Sequence, residues 1–274
     1  MYMGVSWQAT NFYHIYRMFA LSYIGKNPHQ LEKVEKVMKY RKIKNSGEVG
    51  IEFSIEDSKG TRVARDFLEK LVEGTVRRSV EYFDETDDYA FSYGERQMHS
   101  VGCPSIAALT TAYLMEHPLK RKPSGEDEYS GRVDYWISYR NYSFLMELKH
   151  GYFAYARASH PRQNLLKKFN SAMDSLKTIR KDECEYLGGG DKGLFKIALL
   201  AITFFRGSKN EISINDLRSK NLKMSFDELL NNSGLARVTN LRALWILNKR
   251  LVQPKNYTNG FETYPAVAFV ANLF

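Results

Sequence analysis

Between Tyr142 and Phe205 the chain reads as strand, amphipathic helix and buried strand, and this order restricts the fold more than any other stretch. The first strand, near Tyr142 to Lys149, carries the apolar run Phe144-Leu145-Met146. A long helix beginning near Pro161 places Leu165, Phe169, Ala172, Met173, Leu176 and Ile179 on one stripe, and Gly188-Gly189-Gly190 ends it. The run Leu194 to Phe205 then has the continuous apolar character of a strand covered on both faces. Two strands joined through a helix in this way form a right-handed parallel unit. A further strand near Arg132 to Tyr139 joins the first across a short reversal at Arg140-Asn141, so the fold class is α/β with a mixed sheet.

Residues 1–90 read as a mostly helical N-terminal region containing a short strand. Leu31, Val34, Val37 and Met38 fall at helical spacing, as do Val63, Phe67, Leu68, Leu71, Val72, Val76 and Val80. Between them Val49, Ile51, Phe53 and Ile55 alternate with polar residues as a half-buried strand does. The acidic loop Asp84 to Asp88 marks the expected boundary, with an α/β core and C-terminal extension over 91–274. Within that core the spacing of Ile106, Leu109, Tyr113 and Leu114 predicts a helix over Ser105 to Glu116 with Pro104 in its first turn. A polar loop is expected from Lys120 to Ser130, and Leu241 to Leu251, with Trp245, reads as an apolar helical stretch.

No apolar run reaches the roughly 18 residues of a membrane span, and the N-terminus lacks the basic-then-apolar pattern of a signal peptide. Cys103 and Cys184 are too few and too far apart for a disulfide framework or a zinc knuckle, so the expected compartment is the reducing cytoplasm. The net charge is +9, and its placement is uneven: residues 1–150 carry 21 basic and 21 acidic side chains, residues 151–274 carry 19 and 10. A polyanion is one natural partner for such a surface, and a solvated, solubilising face is the other reading.

The tight reversal at Arg140-Asn141 sets Asp134 directly opposite Glu147, on the same face, with Lys149 two residues further along. Paired carboxylates repel and destabilise a sheet unless a positive charge lies between them. A divalent cation supplies it, and hard oxygen donors of this kind suit Mg²⁺, which takes one or two carboxylates and keeps several waters.

Gly131-Arg132-Val133-Asp134, followed after 12 residues by Glu147-Leu148-Lys149, resembles the PD-(D/E)XK nuclease superfamily, as does the order helix, hairpin, helix, strand from Gly94 to Phe205. Val133 stands where the namesake proline would be. The resemblance implies a restriction endonuclease-like core with a mixed sheet flanked by helices, and a Mg²⁺-dependent deoxyribonuclease (Mn²⁺ substituting) of restriction, repair or resolvase type. It further implies that Asp134 and Glu147 bind the metal, that the Leu148 backbone carbonyl is another ligand, and that Lys149 is the catalytic lysine. Many such families add an acidic residue on the helix before the hairpin. Glu95 is the candidate, against the alternative of a surface glutamate in a loop if Gly102 and Pro104 start the helix later. Gln163 resembles a glutamine that some subfamilies keep near the site. DNA is the favoured nucleic acid, and a homodimer is the commonest arrangement for cutting both strands.

Arg157, Arg162, Lys167 and Lys168, with Tyr152, Phe153 and Tyr155, form a candidate basic and aromatic surface for nucleic acid, although packing is the ordinary role of each aromatic. His150 alternates away from the site, and His99, one turn beyond Glu95, is an incidental neighbour. Gly188 to Gly193 follows a helix and precedes a strand, the reverse of a phosphate loop. The rival reading is a catalytically silent, nuclease-like binding or assembly subunit.

Overall fold

The computed structural model describes residues 38–155, 163–188, 193–209, 219–252, 254–258 and 260–274. The expected helix over Leu31 to Met38 lies outside them apart from Met38 itself. Strands β1 (Tyr40–Ile43) and β2 (Gly47–Phe53) form a hairpin, and the alternation of Val49, Ile51 and Phe53 gives β2 its inner face. Helix α1 (Lys59–Thr86) follows, started by a capping box in which the Ser58 and Thr61 side chains each bond the other's backbone N–H. Helix α2 (Glu95–Ala107) leads into β3 (Tyr113–Arg121), β4 (Tyr129–Tyr139) and β5 (Tyr142–Ala154). Helices α3 (Gln163–Lys177) and α4 (Lys181–Gly188) precede β6 (Gly193–Ser208). The chain closes with α5 (Ser219–Ser233), α6 (Leu235–Val238), β7 (Leu241–Leu247), β8 (Lys255–Tyr257) and β9 (Gly260–Leu273).

The architecture is α/β, with one mixed nine-stranded sheet and six helices among the described residues. Strand order is β1-β2-β7-β9-β6-β5-β4-β3, with β8 pairing the end of β9. Every described pairing is antiparallel except β5 with β6, the crossover unit expected from the sequence. Each face of the sheet has its own core. On one, α1 and α2 place Phe67, Leu71, Val76, Met98 and Ile106 against Phe144, Met146, Leu199 and Trp245. On the other, α3 and α5 place Leu165, Phe169, Leu176, Phe226 and Leu229 against Leu145, Leu200, Phe204 and Leu244.

Four expectations are corrected. The helix set over Ser105 to Glu116 ends at Ala107, and Tyr113 to Arg121 is a strand. The apolar spacing that suggested one helix straddles a helix end and a strand start, and Pro104 sits inside α2 instead of in its first turn. Lys120 to Ser130 is not wholly a loop, because its ends pair in the β3–β4 hairpin. Leu241 to Leu247 is strand β7, held between β2 and β9 with Leu241, Ala243, Leu244 and Trp245 all buried. A central strand covered on both faces reads as an unbroken apolar run, which periodicity cannot separate from a buried helix. The boundary expected near residue 90 falls within a shared core, since β1 and β2 belong to the same sheet and α1 packs on it.

Phe67 of α1 is fully buried and stacks on Phe144 of β5 with ring centroids 4.6 Å apart. Truncation there removes a stacked contact between α1 and the centre of the sheet. Phe67→Ala is expected to cost about 3–5 kcal/mol, read as a lower urea midpoint with an unchanged slope.

Candidate active site at a fork in the sheet

Strand β5 pairs with β6 along its whole length, from Tyr142↔Gly193 to Ala154↔Phe205. Its pairing with β4 runs only from Tyr139↔Tyr142 to Tyr135↔Met146, while β4 stays with β3 as far as Tyr129↔Arg121. The sheet therefore forks beyond Met146, and the two sides begin at Asp134 and Glu147. The β3–β4 ladder is itself interrupted opposite Asp134, at Glu116, whose φ of 49° is left-handed. Around this point β4 turns over: Val133 enters the α3-side core and Tyr135 the α1-side core. The expected register holds up to Tyr135 and Met146, and the ladder stops one pair short of Asp134 and Glu147.

The fork leaves backbone groups without strand partners, and Asp134 meets one of them. A two-residue reversal makes Tyr139 and Tyr142 a hydrogen-bonded pair, and every second pair after it likewise. An uninterrupted ladder would send the Leu148 N–H to the Val133 carbonyl. Instead Asp134 Oδ2 accepts it at 2.7 Å. A strand residue's N–H and C=O leave the same edge, so the Leu148 carbonyl also belongs to the fork side.

Glu147 is 5 % exposed and Arg121, at the end of β3, is 4 % exposed. Arg121 Nη2 donates to Glu147 Oε1 at 2.8 Å, and Ser175 Oγ of α3 donates to the same oxygen at 2.8 Å. The rest of the guanidinium is anchored by the Arg132 and Ser175 carbonyls and by Thr178 Oγ1 at 3.2 Å. Gly131 makes room for it: a Cβ there would lie 2.6 Å from Arg121 Nε. Burial raises the Glu147 pKa, the Asp134 charge raises it further, and Ser175 and Arg121 only partly oppose them.

Lys149 lies beyond the last β4 pair, where the open edge lets its side chain pass toward the opposite face. Its ammonium donates to Glu95 Oε1 at 2.9 Å. Glu95 begins α2, so it is helical and not in a loop, and a carboxylate there also suits the positive end of the helix dipole. Burial works against the Lys149 charge, but the Glu95 hydrogen bond and the charges of Asp134, Glu95 and Glu147 outweigh it and raise the pKa. Lys149 is therefore held as an ammonium, suited to stabilising negative charge and not to taking up a proton.

The structure thus joins Lys149 to Glu95 and the Leu148 N–H to Asp134, with the Asp134 charge felt by both Glu147 and Lys149. It uses the other candidates differently. Lys168 donates to the His150 carbonyl at 2.7 Å, and Tyr152 bonds the Ser92 and Tyr93 carbonyls. Phe153 is buried against Phe204. Lys167 lines an open groove of about 720 Å³ with Tyr129, Asn170, Ser171, Asp174, Ser175 and Thr178. Gln163 opens α3, while Arg157 and Arg162 lie outside the described residues. His99 Nδ1 bonds the Tyr135 hydroxyl, and Trp136 packs against the α3-side core. Arg121 and Ser175 were missed, because nothing local to residue 121 indicates a carboxylate partner 26 positions away.

Among the described residues no three His, Cys, Asp or Glu side chains form a ready metal cage. The donors at the fork are two carboxylates and a carbonyl, a set that fits a hard divalent ion completing its shell with water and substrate oxygens. Compared with known proteins, the chain matches no protein-family model, no curated protein and no solved structure.

Two outcomes follow from these contacts. Arg121→Met leaves a buried carboxylate uncompensated and is expected to cost about 3–5 kcal/mol, most of it recovered in the double variant with Glu147→Leu; denaturant titration of the three proteins measures this. His150 bonds Thr203 Oγ1 at 2.9 Å, and burial, with Lys168 nearby, pushes its pKa down from 6.5 to about 4. The neutral ring's contribution is complete above pH 6.5 and is lost as pH falls toward 4, on the order of 3 kcal/mol. Denaturation of the parent and His150→Asn at pH 7 and pH 4.5 should show a smaller acid loss in the variant.

Proposed function

We propose that the chain is a divalent-metal-dependent nuclease that hydrolyses phosphodiester bonds in DNA, built on a restriction endonuclease-like core. The supporting observation is the convergence of Asp134, Glu147 and Lys149 at the fork, joined by Glu95 from α2. Asp134, the free oxygen of Glu147 and the Leu148 carbonyl would hold Mg²⁺, with Mn²⁺ as a substitute. When bound, the ion supplies Lewis acidity at the scissile phosphate and lowers the pKa of a water.

The chain's own residues supply the rest. Lys149, kept protonated and aimed by Glu95, faces charge that grows on the phosphate as the bond breaks. Glu147, immobilised by Arg121 and Ser175, presents its second oxygen in a fixed direction. The excess of basic side chains in residues 151–274 favours a polyanionic substrate. Each chain carries one such site, so a duplex cut on both strands in one event calls for two copies.

A second reading, a nuclease-like subunit that binds without cutting, draws on one observation: Arg121 and Lys149 already neutralise two of the three carboxylates. A cleavage panel separates the two. The purified chain, incubated with plasmid, linear and single-stranded DNA and with RNA, is expected to cut DNA in Mg²⁺ or Mn²⁺ but not in chelator. Asp134→Asn and Lys149→Ala should each lower the rate by about 10²–10³. Intact substrates in both metals end the nuclease reading, and salt-sensitive DNA binding without cleavage establishes the second.

A further inference from the structure

We infer that Arg121 takes the place of a second divalent ion, so that the site binds one ion per chain; this rests on the metal-dependent reading above. Glu147 Oε1 accepts hydrogen bonds from both Arg121 and Ser175, which uses the two lone pairs of that oxygen. Glu95 is paired with Lys149. The donors left at the fork are Asp134, the other oxygen of Glu147 and the Leu148 carbonyl. With water and a phosphate oxygen they would hold one divalent ion, while Glu147 Oε1, turned to Arg121 and Ser175, is not free to bridge to another.

The guanidinium is not a movable occupant. Three oxygens fix it besides its carboxylate contact: the Arg132 and Ser175 carbonyls and Thr178 Oγ1. Gly131 lies against its stem, where a Cβ would meet Arg121 Nε and Cδ at 2.6 and 2.7 Å. Formal charge points the same way. Glu95, Asp134 and Glu147 against Arg121 and Lys149 leave a net of one negative charge. One divalent ion turns this into a single positive charge, matched to one phosphodiester; a second ion would leave three.

The experiment is a Mn²⁺ titration of the full chain, followed by the electron paramagnetic resonance of free Mn²⁺, alone and with a phosphorothioate-linked DNA duplex. One ion per chain is expected in both conditions, with affinity lowered about 10-fold or more in Asp134→Asn. Arg121→Met, measured below its denaturation midpoint, should bind Mn²⁺ more tightly or take up a second ion, whereas Arg121→Lys should retain one. A structural arginine would give the opposite sign, weaker binding on removal. Two ions bound to the parent with similar affinity overturn the inference and leave the nuclease reading intact. No ion bound at millimolar Mn²⁺, with Asp134→Asn indistinguishable from the parent, overturns both.

Discussion

The hydrogen bond from the Leu148 N–H to the Asp134 carboxylate is the contact on which the site depends. A sheet cannot part between two inner strands without orphaning backbone donors and acceptors, and a buried donor left unsatisfied costs about 1–3 kcal/mol. Asp134 removes that cost at the point of parting by substituting a side-chain oxygen for the carbonyl that the ladder would have supplied. The same substitution draws the Asp134 carboxylate toward the backbone that follows Glu147. One contact thereby stabilises the fork and assembles two of its acidic groups.

The electrostatics follow from the same parting. With β4 gone, the outer edge of β5 is open, and Lys149 can meet Glu95 of a helix on the other face of the sheet. On the α3 side Glu147 stays buried and needs a buried cation, which β3 supplies from its last residue, Arg121. Each carboxylate is thus held by a different group: Glu95 by the Lys149 side chain, Asp134 by the Leu148 N–H, Glu147 by Arg121 of β3 and Ser175 of α3. Directions fixed independently in this way suit a site whose chemistry depends on angle as well as charge.

Much of the topology was legible in the sequence because its determinants are local. The reversal at Arg140-Asn141 sets the β4–β5 register, and the apolar stripe of α3 between two strand patterns sets the parallel crossover. The same turn lines up Asp134, Glu147 and Lys149 in sequence, but the ladder stops one pair short of the two carboxylates and Lys149 leaves the shared face expected of it to meet Glu95. The fork was not legible, because parting is decided by what β3 and α3 do to β4 from outside the hairpin. Arg121 lay in a stretch read as a polar loop, although its stem passes over Gly131 and its charge is buried. The β7 run Leu241 to Leu247 was misread as helical because a strand covered on both faces has no polar alternation to betray it.

Helix α3 connects the core to the site. Its Leu165 packs directly over Gly151 of β5, where a Cβ would approach Leu165 Cδ2 to 2.3 Å, so the helix lies closer to the strand than any side chain at 151 would permit. Three turns along, Ser175 and Thr178 reach Glu147 and Arg121. The outer side of the same helix, with Lys167, Asn170, Ser171 and Asp174, walls the open groove that Ser175 and Thr178 also line. A displacement of α3 would therefore change the hold on Glu147 and the shape of the groove together.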